Sequence, residues 1–86
     1  MNVSVELTLS PLQDEFEAPI VAFIKTLRAS GLTILENPLS TQIYGPYDQV
    51  MDLLNTAIKE VFLDLNQVVL YLKLVKTDRS NYEPHF

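Results

Sequence analysis

The chain has 86 residues, a net charge of −5 and no cysteine. A chain of this length supports one domain with one core, because it buries only about 60–65% of the surface that its unfolded form exposes. The six Lys and Arg residues are scattered, which argues against a nucleic-acid surface, since phosphate binding needs clustered positive charge. The missing cysteines exclude disulfide bridges and thiolate metal sites, and the single histidine, His85, excludes a multi-histidine zinc site within one chain.

No apolar run approaches the about 20 residues that a membrane helix needs. The N-terminal segment lacks the basic start and the continuous apolar stretch of a signal peptide. We therefore expect a soluble cytoplasmic protein that uses no metal and no cofactor and has neither a membrane nor a nucleic acid as partner.

The first predicted element is a strand over residues 3–9, where apolar and polar residues alternate with the period of two that a half-buried strand shows. Pro11 is expected to end it. A helix is expected next, because apolar residues from Phe16 to Leu27 recur at helical spacing. Asp14 is a candidate N-cap, and Pro19 leaves two alternatives: the helix starts near it, or an early turn is distorted. Gly31 is expected to supply the left-handed residue that follows many helices.

Two short strands are predicted over residues 32–37 and 39–44, separated by Pro38, and the Gly45-Pro46 pair is expected to break the chain after them. Apolar residues at spacings of three and four then predict a long second helix from Asp48, its candidate N-cap, to about Asn66. Residues 67–76 form the last predicted strand, and one of its faces is wholly apolar: Val68, Leu70, Leu72 and Leu74. The domain is thus expected to span residues 1–78, and residues 79–86 to form a tail that is mobile or docked on a partner.

The predicted order is β-α-β-β-α-β. With short connections and right-handed crossovers, it folds most simply into a four-stranded antiparallel sheet of spatial order 4-1-3-2 with both helices on one face. The sequence therefore predicts an α+β fold, the ferredoxin-like sandwich.

The sheet face away from the helices mixes small polar, charged and apolar side chains: Ser4, Glu6, Thr8, Gln42, Tyr44, Val69, Tyr71 and Val75. Its valines and tyrosine favour an interface between sheets and hence a homo-oligomer, although a solvated face is the alternative. Glu6 is best explained by a salt bridge to Lys73 on the neighbouring strand. A general base or a partner for a cation are its other possible roles, and no second carboxylate is held beside it for paired-carboxylate catalysis.

This topology brings the loop after the first strand to the same end of the sheet as the connection between the second and third strands. Residues 10–14 are then close to residues 37–41, and both segments combine proline with small hydroxyl residues. Stiff loops bind a ligand at a lower entropic cost. The alternative is that residues 38–40 form only a turn whose hydroxyls satisfy free backbone groups.

Three segments, VSVELTLSPL, ASGLTILENPLSTQIYG and VVLYLKL, together with the amphipathic helix between the last two, resemble the YkoF-like thiamine-binding proteins. The resemblance covers residues 2–78, and NPLSTQIYG is its most specific part. It implies a ferredoxin-like domain without catalytic machinery that binds thiamine or its hydroxymethylpyrimidine portion. It also implies a single-domain form that assembles into dimers or tetramers by combining sheets.

Carried over by position, the resemblance places Ser10, Leu12, Ser40 and Thr41 in the ligand site, and Asp14 and Asn37 are added because they flank these loops. Small hydroxyl groups leave room for a ligand and offer donors and acceptors to an aminopyrimidine edge. A structural or regulatory oligomerisation module without a small ligand is the alternative function. An enzyme is the least favoured, since the chain has one terminal histidine and no cysteine.

Overall fold

The computed structural model describes residues 1–86 and contains the six elements in the predicted order. They are β1 (Asn2–Pro11), α1 (Glu17–Arg28), β2 (Thr33–Glu36), β3 (Thr41–Pro46), α2 (Tyr47–Asp64) and β4 (Val68–Lys76). All strand pairs are antiparallel and the strand order is β2-β3-β1-β4. The predicted α+β ferredoxin-like fold and its strand order are confirmed. Neither helix is long and apolar enough to cross a membrane.

Strand β1 is central and has a neighbour on each side. Residues 2–7 pair with β3, and residues 3–11 pair with β4, so β1 continues through Pro11 instead of ending before it. The Leu12 N–H donates to the Gln67 carbonyl of the β4 side. Because successive backbone nitrogens of a strand point to opposite neighbours, the Pro11 nitrogen points toward the β3 side. The pairing of β1 with β3 has already ended there, at Leu7. The missing N–H of the proline therefore leaves no sheet bond unmade.

The core lies between the sheet and the two helices. It consists of eleven buried apolar residues: Val3, Val5, Leu7, Leu9, Phe23, Leu27, Ile43, Val50, Leu54, Ala57 and Val61. Four of them are the alternating apolar residues of β1, and four more are the apolar stripe of α2. The periodicity that predicted these elements therefore also identified most of the core.

Helix α1 lacks the predicted Asp14 cap but starts near Pro19, as predicted. Asp14 does not cap the helix: α1 begins at Glu17, and Phe16 precedes it with no capping side chain. Pro19 is the third helical residue, where its missing N–H is one of the four that no helix can pair. The start near Pro19 was thus the correct alternative. Beyond the helix, Gly31 has a φ of 81°, the left-handed conformation that was expected.

The connection between β3 and α2 was predicted wrongly. Gly45 and Pro46 do not break the chain, because both belong to β3 and pair with the first residues of β1. Helix α2 then starts directly at Tyr47, whose N–H donates to the Met1 carbonyl at 2.9 Å. Asp48 is not the N-cap but lies in the first turn, where its negative charge still favours the helix dipole.

Strand β4 is an edge strand that the helices leave largely uncovered, since they pack against β1 and β3. On its helix-facing side, Leu72 is 42% exposed and Leu74 is 44% exposed. The sequence correctly predicted that this side of β4 is apolar. It did not show that the helices would fail to cover it.

Candidate functional site

The connection between β2 and β3 is a tight turn that Asn37 builds. The Asn37 side-chain oxygen accepts hydrogen bonds from the Leu39 N–H at 2.9 Å and the Ser40 N–H at 3.0 Å, and the Asn37 N–H donates to the Ser40 carbonyl at 3.1 Å. The Thr8 hydroxyl of β1 donates to the Leu39 carbonyl at 3.2 Å. The turn is thus fixed both by its own first residue and by the central strand.

A cavity of about 280 Å³ lies beside this turn, between it and α1. The residues that line it are Leu7, Thr8, Leu9, Ile20, Phe23, Ile24 and residues 36–41. Three of the predicted site residues, Asn37, Ser40 and Thr41, therefore lie together around one cavity. We call it the turn cavity.

The other three predicted site residues do not line the turn cavity. Ser10 pairs with Val69 in the sheet, on the same side of β1 as Glu6 and Thr8. Leu12 and Asp14 lie in the exposed loop after β1. The second wall of the turn cavity is accordingly α1 rather than this loop, and a ligand-binding role for Ser10, Leu12 and Asp14 stays a prediction.

The Ser40 hydroxyl connects the turn to the open face of the sheet. It donates to the Glu6 carboxylate (Oε2) at 3.0 Å and accepts from the Gln42 side-chain amide at 2.7 Å. The other Glu6 oxygen lies 3.5 Å from the Lys73 ammonium group, which confirms the predicted salt bridge. Both charged groups are well exposed, so this pair contributes at most about 1 kcal/mol to stability and chiefly positions the carboxylate.

A second hollow, of about 380 Å³, lies on the open face next to this network. Its lining residues are Ser4, Glu6, Gln42, Tyr44, Lys73, Val75, Arg79 and Tyr82. We call it the open-face hollow. It combines one carboxylate, two cations, an amide and two aromatic rings, which is the mixture of an apolar surface and a few polar groups typical of small-molecule sites.

The wall of the open-face hollow is formed by residues 77–82, which fold back onto the chain's own sheet. The buried Ser4 hydroxyl donates to the Thr77 carbonyl at 2.7 Å and accepts from the Arg79 N–H at 2.8 Å. Thr77 has a φ of 127°, which is rare for a β-branched residue and indicates strain. The start of the predicted tail is thus held by the domain itself through specific hydrogen bonds.

In residues 77–82, the carboxylate of Asp78 has hydrogen-bond partners, whereas the guanidinium of Arg79 has no carboxylate partner. The hydroxyl and the N–H of Ser80 both donate to the Asp78 carboxylate and hold the pKa of that carboxyl below its usual value. The Arg79 guanidinium lies over the Tyr82 ring, 5.9 Å from its centroid, and forms no salt bridge. Arg79 therefore faces the hollow as a cation without a carboxylate partner.

The sequence pattern identified the floor of the open-face hollow but not its wall. Alternation placed Ser4, Glu6, Gln42, Tyr44 and Val75 on the open face, without indicating a hollow there. Arg79 and Tyr82 were missed because they follow the last periodic residue of β4. The only signal for them is the Asp78-Arg79-Ser80 sequence, in which a serine two residues after an aspartate is typical of a side-chain-stabilised turn.

Fold and hollows together define a small α+β sandwich with a polar concave surface on its uncovered sheet face. Residues 5–83 match the family of thiamine-binding proteins. Because the match spans nearly the whole chain, this chain belongs to that family. Comparison with curated proteins finds no match.

Three solved structures have a similar fold. A protein of Streptococcus pneumoniae is 24% identical, with a TM-score of 0.84 over 91% of this chain and 89% of that one. A Methanocaldococcus jannascii protein is 23% identical, with a TM-score of 0.75 over 95% and 84%. A Thermotoga maritima protein, provisionally assigned to thiamine biosynthesis or salvage, is 18% identical, with a TM-score of 0.80 over 90% and 85%. At these identities the likeness establishes the fold.

Proposed function

We propose that this chain is a non-enzymatic binding protein for thiamine or its hydroxymethylpyrimidine portion, and that the ligand ring is bound in the open-face hollow. The observation that carries the proposal is the contact between the Ser40 hydroxyl and the Glu6 carboxylate. It joins the turn that most closely resembles the family to a polar hollow large enough for a small heteroaromatic ring. Membership of the thiamine-binding protein family supports the choice of ligand.

The side chains of the hollow match the chemistry of an aminopyrimidine. Such a ring presents an amino donor next to a ring-nitrogen acceptor. A carboxylate such as that of Glu6 accepts from the amino group, and the Gln42 amide can both donate and accept. The rings of Tyr44 and Tyr82 offer apolar surface to a planar ligand. The net charge of −5 does not oppose a cationic thiazolium.

The remaining predicted site residues are assigned by their positions. Asn37 positions Ser40 by building the turn, and Thr41 lies on the other side of the sheet, where it lines the turn cavity. Ser10 lies on the open face four residues from Glu6, so an extended ligand that follows β1 reaches it. Leu12 and Asp14 would contact only the far end of such a ligand.

Titration calorimetry with thiamine and with hydroxymethylpyrimidine tests this proposal. We expect binding to the wild type and a loss of about tenfold or more in the E6Q and S40V variants, because one charge-assisted hydrogen bond is worth about 1.5–3 kcal/mol. T56V, on the exposed surface of α2, is the matched control for S40V and should bind normally. Absence of heat and of any thermal shift at millimolar ligand with folded wild-type protein contradicts the proposal.

We further propose that the chain forms a homo-oligomer in which β4 contacts a second copy. Strand β4 is a nine-residue edge strand with unpaired backbone groups along its outer side, and Leu72 and Leu74 lie exposed beside that edge. A second copy satisfies both features at once, because antiparallel pairing of two identical edges is self-complementary.

The uncovered apolar edge at β4 is the observation that favours the alternative function, an oligomerisation module without a ligand. Light scattering after gel filtration should show a dimer or tetramer for the wild type and a monomer for L74K. L35K is the matched control, because Leu35 lies on the opposite edge strand and is 47% exposed against 44% for Leu74. A wild-type monomer at all concentrations rejects the assembly. An oligomer in which no ligand binds supports the alternative function.

A further inference from the structure

The open-face hollow has more positive than negative charge, although the protein as a whole is acidic. The chain has six Lys and Arg residues and a net charge of −5, yet two of the six, Lys73 and Arg79, line this hollow, with Glu6 as its only carboxylate. Glu6 is already engaged by Ser40 and Lys73. One positive charge is therefore left without a protein partner.

That unpartnered charge is held in place by the fold. The Arg79 backbone N–H is bonded to the buried Ser4 hydroxyl, and the strained Thr77 immediately before this turn directs the chain back over the sheet. The neighbouring carboxylate, Asp78, is bonded to Ser80 and does not pair with Arg79. The sequence thus places an acid next to Arg79, but the turn holds its carboxylate on Ser80 instead of in an ion pair with Arg79.

The Arg79 guanidinium carbon lies 5.9 Å from the centroid of the Tyr82 ring, and none of the guanidinium N–H groups donates to a protein acceptor. A guanidinium presents its N–H groups outward in its own plane, the geometry that binds phosphate oxygens in pairs. Lys73 lines the same hollow and supplies a second donor. A phosphate group is the anion that this combination fits best, because it can accept from both cations.

We propose that the open-face hollow prefers the phosphate monoester of its ring ligand over the free alcohol, with Arg79 as the residue that determines this preference. The inference rests on the proposed function, because it assumes that the ring occupies the same hollow. The ring contacts Tyr44, Gln42 and Glu6, and the phosphate reaches Arg79 and Lys73. The site would then select phosphorylated thiamine or hydroxymethylpyrimidine.

Calorimetry at low ionic strength with thiamine, thiamine monophosphate and inorganic phosphate tests the preference in the wild type, R79Q and K76Q. K76Q is the matched control: Lys76 is on the same strand as Lys73 but three residues away, hence on the opposite face of the sheet. We expect the monophosphate to bind the wild type and K76Q about tenfold more tightly than thiamine. R79Q should reduce this ratio to less than about threefold, and added salt should reduce it as well.

The outcomes separate this inference from the proposed function. Thiamine binding that is equal to or tighter than monophosphate binding overturns the phosphate preference and leaves the proposed function standing. The proposal is also overturned if inorganic phosphate binds as tightly as thiamine monophosphate, since the ring then contributes nothing. It is overturned as well if R79Q retains the preference for the monophosphate. If none of the three compounds binds folded wild-type protein, the inference and the proposed function both fail.

K73Q provides a second variant with a different expectation. Because Lys73 is paired with Glu6, its removal should weaken both thiamine and thiamine monophosphate binding, whereas R79Q should weaken only the latter. A phosphate preference that depends on Lys73 and not on Arg79 contradicts the assigned role of Arg79. Circular dichroism and the urea midpoint of each variant confirm that the fold is retained.

Discussion

Replacing Ser4 with alanine tests whether the domain itself holds the C-terminal segment. Ser4 is 6% exposed, and its hydroxyl makes two hydrogen bonds, one to the Thr77 carbonyl at 2.7 Å and one from the Arg79 N–H at 2.8 Å. Alanine has nearly the same volume, so S4A removes both bonds without creating a cavity. The change therefore isolates the attachment of residues 77–82 to the sheet.

The expected loss of stability is smaller than the two bonds suggest. A hydrogen bond between neutral groups contributes about 0.5–1.5 kcal/mol net, so two of them contribute about 1–3 kcal/mol. Against this, Thr77 is held at a φ of 127°, and such a conformation costs about 1–3 kcal/mol, part of which is recovered when the segment detaches. We expect S4A to lower the free energy of unfolding by about 1–2 kcal/mol.

Urea unfolding measures this loss, and hydrogen exchange of the Arg79 amide, whose N–H donates to the Ser4 hydroxyl, reports the detachment directly. S10A is the matched control, because Ser10 lies on the same face of the same strand and makes no side-chain hydrogen bond in the structure, so its effect should stay within about 0.5 kcal/mol. T77G should stabilise the wild type more than it stabilises S4A. An S4A protein with unchanged stability and unchanged protection of Arg79 refutes the reasoning.

Three further predictions concern the core, a turn and pH. L27A should cost about 2–5 kcal/mol in urea unfolding, because Leu27 is fully buried; a cost below about 1 kcal/mol contradicts the assigned core. G31A should cost about 1–2 kcal/mol, since no atom crowds the site and only the positive φ opposes a side chain; no change would contradict this backbone argument. A hydrogen bond from Arg28 lowers the pKa of Glu36. The stability that this pair adds should therefore be present at neutral pH. It should be lost as the pH falls from the usual pKa of a glutamate through the lowered pKa of Glu36. The difference in unfolding free energy between wild type and E36Q should therefore disappear in acid. A difference that does not change with pH contradicts this prediction.

The elements were predictable wherever one side of a strand or helix is buried. The alternation in β1 and the spacing of three and four in α2 reflect burial against the same core, so each pattern revealed both the element and its inward face. Once six elements were known in order, few topologies remained, because connections are short and crossovers are right-handed.

The starts of the helices were less predictable, because contacts between distant parts of the chain set them rather than local capping residues. Asp14 and Asp48 both have the side chain of a typical N-cap, yet neither caps a helix in the structure. At α2, strand pairing continues to Pro46 and the Tyr47 N–H is bonded to the Met1 carbonyl, so the helix starts before the aspartate. A bond between the first residue and residue 47 cannot be read from local sequence.

The geometry of the candidate site was predictable in part, and periodicity again separates the part that was predicted from the part that was not. NPLSTQIYG indicated a turn with free hydroxyls, and the structure brings Asn37, Ser40 and Thr41 around one cavity. The open-face hollow was not predicted, because its wall consists of residues 77–82, which have no periodic pattern and are positioned by one buried serine 73 residues away in the chain.

The hydroxyl of Ser40 links the turn between β2 and β3 to the open face of the sheet. The Asn37 side chain fixes the backbone of the turn, the turn places the Ser40 hydroxyl, and that hydroxyl bridges Glu6 and Gln42. A β-branched apolar residue at position 40 would suit a strand, but it would leave the carboxylate and the amide without their shared partner. Ser40 is therefore the residue that connects the turn to the hollow. The polar groups that the Ser40 hydroxyl joins, rather than β propensity, account for a serine at this position.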